Sequence, residues 1–398
     1  MMLRTFAYLA VLLPSFAFAQ NGFSPERLER MRHVLADTVS RKEYAGVNAV
    51  VAQHGKVVFS ASLGYQDLEA GKAMQSDTIF TIASLTKPVT AVAVMMLYEK
   101  GKFLLEEPVA KYLPAFAKMQ VLATEGGDPA QVVPASSQIT IRQLLTHTDG
   151  MVNFKGYVAA GINPQLSLAA TVEKIAAVPL SHQPGQAWRY GISYDVLARL
   201  VEVWSGKPYD VFLSERIFQP LGMKDTGFFV PTSEAARLAK GYKLNEKNIV
   251  ELLPKQGAPD HTPVYVSGSG GLYSTTGDIL RFCQMLLNGG TLDNHRLLGA
   301  VTVDFMLQNQ VPLNVLPPDG PNGRKGFGQG LGGYVLLDPP TYEDLSVKGE
   351  FNGAGVGGTF FWIDRQNDLI GIWFAQRYPQ VQTTLKHFKV LTYQALEK

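Results

Sequence analysis

Hydrophobic and polar positions divide the chain into a helical start, a long helix-and-loop middle and a strand-rich end. Leu28, Met31, Val34, Leu35 and Val39 recur at helical spacing and predict an amphipathic helix over residues 24–42. Residues 48–51 and 57–60 are β-rich, and His54-Gly55-Lys56 between them reads as a hairpin turn. Residues 78–82 lead into a helix expected from Ser84 to about Tyr98, stopping near Gly101. It is apolar nearly all round (Val89, Val92, Val94, Met95, Met96, Leu97), so it is expected to be buried. From about 105 to 260 the pattern gives helices and loops without sustained alternation, including a helix over 196–204 closed by Ser205-Gly206. A further helix lies within 273–287. Strand patterns return at 334–337, 359–363 and 369–375, the last two flanking a turn at 364–368, and residues 382–397 form a closing helix. Strands at both ends with helices between them predict a mixed α/β (α+β) fold, an antiparallel sheet flanked by helices and interrupted by a mostly helical domain.

Composition narrows the function. The 398 residues are 46% hydrophobic and 18% charged, an ordinary globular balance. Lys and Arg number 36 against 34 Asp and Glu, a net charge of +2, and no basic run points to nucleic acid. A single cysteine, Cys283, rules out an intrachain disulfide and a Cys-rich zinc site; its apolar helix face (Ile279, Phe282, Leu286) places it in the core. Residues 1–19 read as a signal peptide. Arg4 supplies the charge, an apolar stretch of about 15 residues follows, and Ala17-Phe18-Ala19 is a small-x-small cleavage site. That stretch is short of the roughly 20 residues that span a bilayer. Cleavage before Gln20 would leave an exported, periplasmic or secreted protein without a membrane span; the alternative is an uncleaved N-terminal anchor.

The candidate chemistry begins with absences. There is no His-Glu-x-x-His, no phosphate-binding Walker loop and no Gly-x-Ser-x-Gly, and the seven histidines include no i, i+4 pair. What is present is Ser84-Leu85-Thr86-Lys87 at the start of the buried helix. Residues three apart share a helix face, so the Ser84 hydroxyl would sit beside the Lys87 amine, at a helix end that favours a developing anion. A lysine one turn into an apolar helix loses proton affinity and can accept a proton, which is what an activated nucleophile needs. On this segment alone a second reading stays open, with Ser84 as a helix cap and Lys87 reaching solvent.

The wider sequence resembles the serine β-lactamase and penicillin-binding superfamily, in its class C-like branch, closest to family VIII carboxylesterases. Residues 80–91 (Phe-Thr-Ile-Ala-Ser-Leu-Thr-Lys-Pro-Val-Thr-Ala) are similar to that family's active-site segment. Leu144-Leu145-Thr146-His147-Thr148-Asp149-Gly150-Met151, Pro184-Gly185-Gln186-Ala187-Trp188-Arg189-Tyr190, Pro220-Leu221-Gly222-Met223 and Gly270-Gly271-Leu272-Tyr273 match further motifs in the expected order, over roughly residues 25–390.

The resemblance implies a β-lactamase/transpeptidase-like fold, with a sheet domain from residues 20–100 and 265–398, a helical domain from 101–264, and the active site in the cleft between. It implies catalytic roles for Ser84, Lys87 and Tyr190. Tyr190 is expected to act as main general base, its phenolate favoured by the lysine cation and the two groups titrating together. The oxyanion would be held by the backbone N–H groups of Ser84 and Val356. Two positions depart from the lactamase pattern. Ile192 stands where Tyr-x-Asn has asparagine, and Gly353-Ala354-Gly355 stands where Lys-Thr-Gly lines the site, so Ile192, Gly353, Ala354 and Gly355 are the expected substrate-facing positions. No lysine or hydroxyl is left there to grip a substrate carboxylate, and only a preference for lactams over esters would imply that another residue, such as Lys348 or Arg324, supplies the cation. His147 reads as structural, and Asp149 either as a solvated loop residue or as one that shapes the site. The expected activity is a serine hydrolase working through an acyl-enzyme on a small ester, needing no metal or cofactor, with weak or no action on β-lactams. The alternatives are a class C-like β-lactamase or D-alanyl-D-alanine peptidase, and a non-catalytic protein that binds peptidoglycan or peptides.

Overall fold

The computed structural model describes residues 22–397 except 160, 164, 247–249, 255, 343–344 and 380–381; the apolar segment 1–19 therefore lies outside the described residues. Helix α1 (Pro25–Ser40) starts at Ser24, with proline in its first turn, and buries Met31 and Leu35. Strands β1 (Gly46–Gln53) and β2 (Lys56–Asp67) form a hairpin, continued by the short β3 (Lys72–Ala73). Its turn uses His54 and Gly55, both at positive φ. Helix α2 is Thr86–Glu99, and the helix-rich middle supplies α3 (Ile141–Thr146), α4 (Ser193–Ser205) and α5 (Thr276–Leu287). The chain then returns to the sheet through β4 (Phe327–Gln329), β5 (Tyr334–Leu336), β6 (Phe351–Gly355), β7 (Thr359–Asp364) and β8 (Leu369–Ala375), and closes with α6 (Gln382–Ala395).

The eight strands lie in the order β4-β5-β6-β7-β8-β1-β2-β3, each pair antiparallel. The two ends of the chain meet at the centre, where Val47 of β1 pairs with Ala375 of β8. Side chains alternate between two buried faces. On one, Trp362, Trp373 and Phe360 pack with Leu35 of α1 and Phe388 of α6. On the other, Phe361, Ile363, Ile372 and Phe374 join α2 and α5 in the main core. Burial on both faces explains why β7 and β8 read as almost continuous apolar runs. The termini are tied together, Ser24 N–H donating to the Ala395 carbonyl at 2.8 Å. Among the described residues no helix is long and apolar enough to cross a membrane.

The structure departs from the sequence pattern in three places. The long helix begins at Thr86, and Ser84 occupies a 3₁₀ turn, Ala83–Leu85, just before it. Pro88 requires this, because a residue without an N–H fits only the first turn of a helix. Strands β4 and β6 carry no alternation, being three residues long and glycine-containing respectively; neighbouring strands impose their extended form. The middle region also holds short hairpins, Gln120–Leu122 with Val132–Pro134 and Tyr242–Leu244 with Val250–Leu252, too brief for period-2 patterning to show.

Candidate active site

Ser84 is presented by a strained bend. Ala83 has φ +45°, the left-handed region that disfavours any residue with a Cβ. Such a residue costs of order 1–3 kcal/mol and persists only where its surroundings fix it. Here Thr86 Oγ1 donates to the Ala83 carbonyl at 2.7 Å and accepts from Leu272 N–H at 3.1 Å, while Thr359 Oγ1 of β7 donates to the Ile82 carbonyl at 3.2 Å. Strand β6 lies close against the same bend. A Cβ added at Gly355 would fall 2.1 Å from the Ile82 carbonyl oxygen, and one at Gly353 would fall 2.9 Å from Leu85 Cδ2. Gly355 is therefore required by close approach of backbone, independently of any contact with substrate, whereas the tight neighbours of Gly353 are side-chain carbons of Leu85 and Phe361.

Lys87, in the first turn of α2, is 5% exposed. Its Nζ lies 3.2 Å from Ser84 Oγ and donates to the Ser269 carbonyl at 2.7 Å. Burial pushes its pKa down from 10.5 to about 7, with the Asp195 carboxylate pulling the other way. Asp195, on α4, is itself buried; its Oδ1 accepts from Ser267 Oγ at 2.8 Å and from Ser269 N–H at 3.2 Å, so it fixes the loop whose carbonyl holds Lys87. A carboxylate between the apolar positions of α4 was legible by the reasoning that singled out Lys87, yet sequence reading did not use it.

Tyr190 precedes α4 in an extended segment. The neighbouring Arg189 N–H donates to the His147 carbonyl at 2.8 Å and Trp188 N–H to the Val315 carbonyl at 3.0 Å, which straps the segment across the site. Lys87 Nζ sits over the face of the Tyr190 ring, 4.6 Å from its centroid. The titration expected for Tyr190 is reversed. Burial raises it to about 12, outweighing a hydrogen bond with Ser84 and the charge of Arg324. The lysine gives up its proton instead, because the low-dielectric site penalises both ions and the amine is stacked on the ring face.

His147 adjoins these groups. It ends α3 in the left-handed conformation, packs 4.8 Å from the Tyr190 ring, and pairs its Nδ1 with Ser193 Oγ at 3.0 Å. Burial, then the Lys87 charge, holds its pKa well below the usual range, so the ring is neutral. Asp149 is buried and closes a turn by accepting from Met151 N–H at 2.8 Å, so it is not a solvated loop residue. Cys283 is buried in the core, as expected.

Ser84, Lys87, Tyr190 and His147 line one cleft of about 280 Å³ with Tyr334, Gly353 and Ala354. Two expected substrate-facing positions, Ile192 and Gly355, are not among the residues that line it. Ile192 is buried in the main core, because an apolar side chain ahead of α4 has no cap bond to make and turns inward. Gly355 is buried against the Ile82 carbonyl. Val356 opens the turn between β6 and β7 with its side chain 58% exposed. Tyr334 lines the cleft and was missed, since it reads as an ordinary strand aromatic.

Comparison with known proteins places this arrangement. The family model described as Beta-lactamase matches residues 31–393, nearly the whole described chain. The chain belongs to the Beta-lactamase family. Among curated relatives, Protein Rv1367c of Mycobacterium tuberculosis (strain H37Rv) is 35% identical over 357 residues, covering 85% of this chain and 87% of that protein. Esterase EstB of Burkholderia gladioli is 29% identical over 363 residues, covering 84% and 87%. The solved structure of EstCE1, described as a hydrolase with promiscuous acyltransferase activity, superposes with a TM-score of 0.77 at 24% identity, covering 94% of this chain and 99% of that one. This member of the Beta-lactamase family is therefore a serine hydrolase, and it shares the β-lactamase fold of that neighbour, an antiparallel sheet flanked by helices.

Proposed function

We propose that the protein is a carboxylesterase acting on small esters through an acyl-Ser84 intermediate. The observation that carries this reading is the Ser84 hydroxyl 3.2 Å from an amine whose pKa is lowered to about 7, in a cleft of modest size. About half of Lys87 is neutral at pH 7. Its lone pair takes the Ser84 proton as Oγ forms a bond to the ester carbonyl, while its N–H remains on Ser269. The backbone N–H groups of Ser84 and Val356 hold the oxyanion. Tyr190, kept protonated by burial, gives its proton to the departing alkoxide as the C–O bond breaks, and the Lys87 ammonium restores it. Water then attacks the acyl carbonyl, its proton passing through Lys87 to Ser84 Oγ.

The similarity to a protein named Esterase EstB supports an ester substrate. The glycine-lined edge at Gly353 and Ala354 supports the preference over β-lactams, because the strand itself carries neither a lysine nor a hydroxyl to hold a lactam carboxylate beside the reacting carbonyl. In this reading the cleft lies between the sheet part (20–100 and 265–398) and the helical part (101–264). Ser84→Ala is expected to lower nitrophenyl-ester turnover by about 10⁴-fold or more with folding intact, and to abolish labelling by a fluorophosphonate. A labelled, active S84A protein would overturn the reading. Export after cleavage before Gln20 belongs to the same proposal, and the N-terminus of the mature protein tests it.

A further inference from the structure

The segment ahead of β4 brings a cation to the rim of the cleft. Asn322 Nδ2 donates to the Tyr334 hydroxyl at 2.7 Å, and the Arg324 guanidinium lies over the same ring, 4.7 Å from its centroid. Arg324 Nη1 also donates to Asn352 Oδ1 at 3.0 Å, and Asn352 immediately precedes the cleft-lining Gly353. The orientation of that amide is fixed from beneath. Asn352 Nδ2 donates to Glu350 Oε1 at 2.9 Å, and Glu350 is paired with Lys389, both fully buried. The amide must therefore present its oxygen upward, which draws the guanidinium to the strand that lines the site.

Nothing described neutralises that charge. Among the described residues no carboxylate pairs with Arg324, and a guanidinium with five N–H donors makes one hydrogen bond, to a neutral amide. Beyond it opens a groove of about 820 Å³ that Arg324 lines together with Lys325, Tyr342 and Lys386. Lys386 Nζ donates to the Tyr342 carbonyl at 3.0 Å, again a neutral partner. Lys325 is 3.6 Å from Asp319, with both side chains largely in water, so that pairing is weak. The chain as a whole is nearly neutral, so three cations in one groove are a local feature. Lys348, the other cation considered from sequence, is exposed and its carbonyl accepts from Gln366 in the turn between β7 and β8, away from these contacts.

We propose that Arg324 and the basic groove behind it bind an anionic group of the substrate, so that the preferred ester carries a carboxylate pointing out of the cleft. This rests on the esterase reading and names its substrate class. The carboxylate takes the free edge of the guanidinium, whose planar fork suits bidentate pairing, while the ester carbonyl meets Ser84. Specificity then comes from a side chain outside the strand motif, and a neutral ester of the same length forgoes that contact.

Three nitrophenyl esters of matched length test the proposal with the full chain: the hexanoate, the adipate mono-ester, and the hexanoate of a carboxylated nitrophenol. One of the two anionic esters is expected to exceed the neutral one in kcat/KM by about ten-fold or more, chiefly through KM. The preference should shrink as salt rises from 20 to 500 mM on the order expected for a partly exposed charge. Arg324→Gln should remove the preference and Arg324→Lys should keep part of it. The salt series needs no variant, so it decides even where a variant fails to fold. Hydrolysis of all three esters at equal kcat/KM, or an equal loss on all three in R324Q, overturns the groove and leaves the esterase standing. No turnover of any of them by the wild type overturns the esterase reading and the groove with it.

Discussion

Replacing Lys87 by methionine should inactivate the protein and make it more stable. The amine is 5% exposed, and burial lowers its pKa from 10.5 to about 7. The folded state thus disfavours the ammonium, on the order of 5 kcal/mol well below pH 7 and about 4 kcal/mol at pH 7. The sign follows from proton counting. Between pH 7 and 10.5 the unfolded chain binds more protons at this site than the folded chain, so wild-type stability from Lys87 rises with pH across that window. Methionine fills a similar volume and does not titrate. It also forfeits the hydrogen bond to the Ser269 carbonyl, at a cost of about 1–3 kcal/mol. The net gain at pH 7 is about 2 kcal/mol. For a chain of 398 residues with an unfolding entropy near 2.1 cal/mol/K per residue, that raises Tm by about 2–3 °C. Scanning calorimetry of both proteins at pH 6, 7.5 and 9 measures it, and the difference should narrow as pH rises because the wild-type amine is then neutral. A K87M protein no more stable than wild type at pH 6, or a difference that does not change with pH, would refute the picture of a strained buried amine.

Three further outcomes follow from the same geometry. The kcat/KM for a neutral nitrophenyl ester should rise with pH through a midpoint near 7, as Lys87 loses its proton, and stay level to pH 10 because Tyr190 keeps its own up to about 12; a profile that climbs only near 10 would return the base role to Tyr190. Gly355→Ala forces a Cβ to within 2.1 Å of the Ile82 carbonyl, so it should destabilise the fold by about 1–3 kcal/mol and lower kcat at least about ten-fold by displacing Ser84; a Tm and kcat equal to wild type would refute the required close approach. A short-chain nitrophenyl ester should be turned over with a kcat/KM at least about 10²-fold above that of a chromogenic cephalosporin, from the loss of a charge-assisted contact at the Gly353 edge; the reverse order would point to lactam hydrolysis.

Much of this was legible in the chain, and the exceptions share a cause. Periodicity located α1, the β1–β2 hairpin, α2 and the β7–β8 pair, because each buries a face whose spacing is written in its own residues. Strand β6 was not legible as a strand: Phe-Asn-Gly-Ala-Gly has little strand propensity, and β5 and β7 determine its conformation. The Ser84–Lys87 spacing and the Tyr190 motif pointed to the groups that meet in the cleft. The direction of the Tyr190 titration did not follow from them, because it depends on the depth of burial and on the lysine lying over the ring rather than beside the oxygen. Asp195 follows Tyr190 by only five residues and could have been read from the apolar pattern of α4, whereas the contacts of Arg324 with Tyr334 and Asn352 depend on tertiary packing.

The central pairing of β1 with β8 also sets a timetable. Val47 waits for Ala375, so during synthesis at about 5–20 residues per second the edge of β1 has no partner for roughly 15–65 s. The β1–β2 hairpin is finished early and shows water an unpaired, largely apolar edge, the kind that pairs with a neighbouring chain if left bare. Ser84 emerges in the same interval, yet the strand that shapes its bend, ending at Gly355, is among the last to leave the ribosome. The nascent chain is therefore both inactive and at its most adhesive until its final tenth is made. A circular permutant that joins the adjacent ends near Ser24 and Ala395 and opens the chain in an exposed loop between α2 and α5 would translate β8 and β1 in succession and remove that delay.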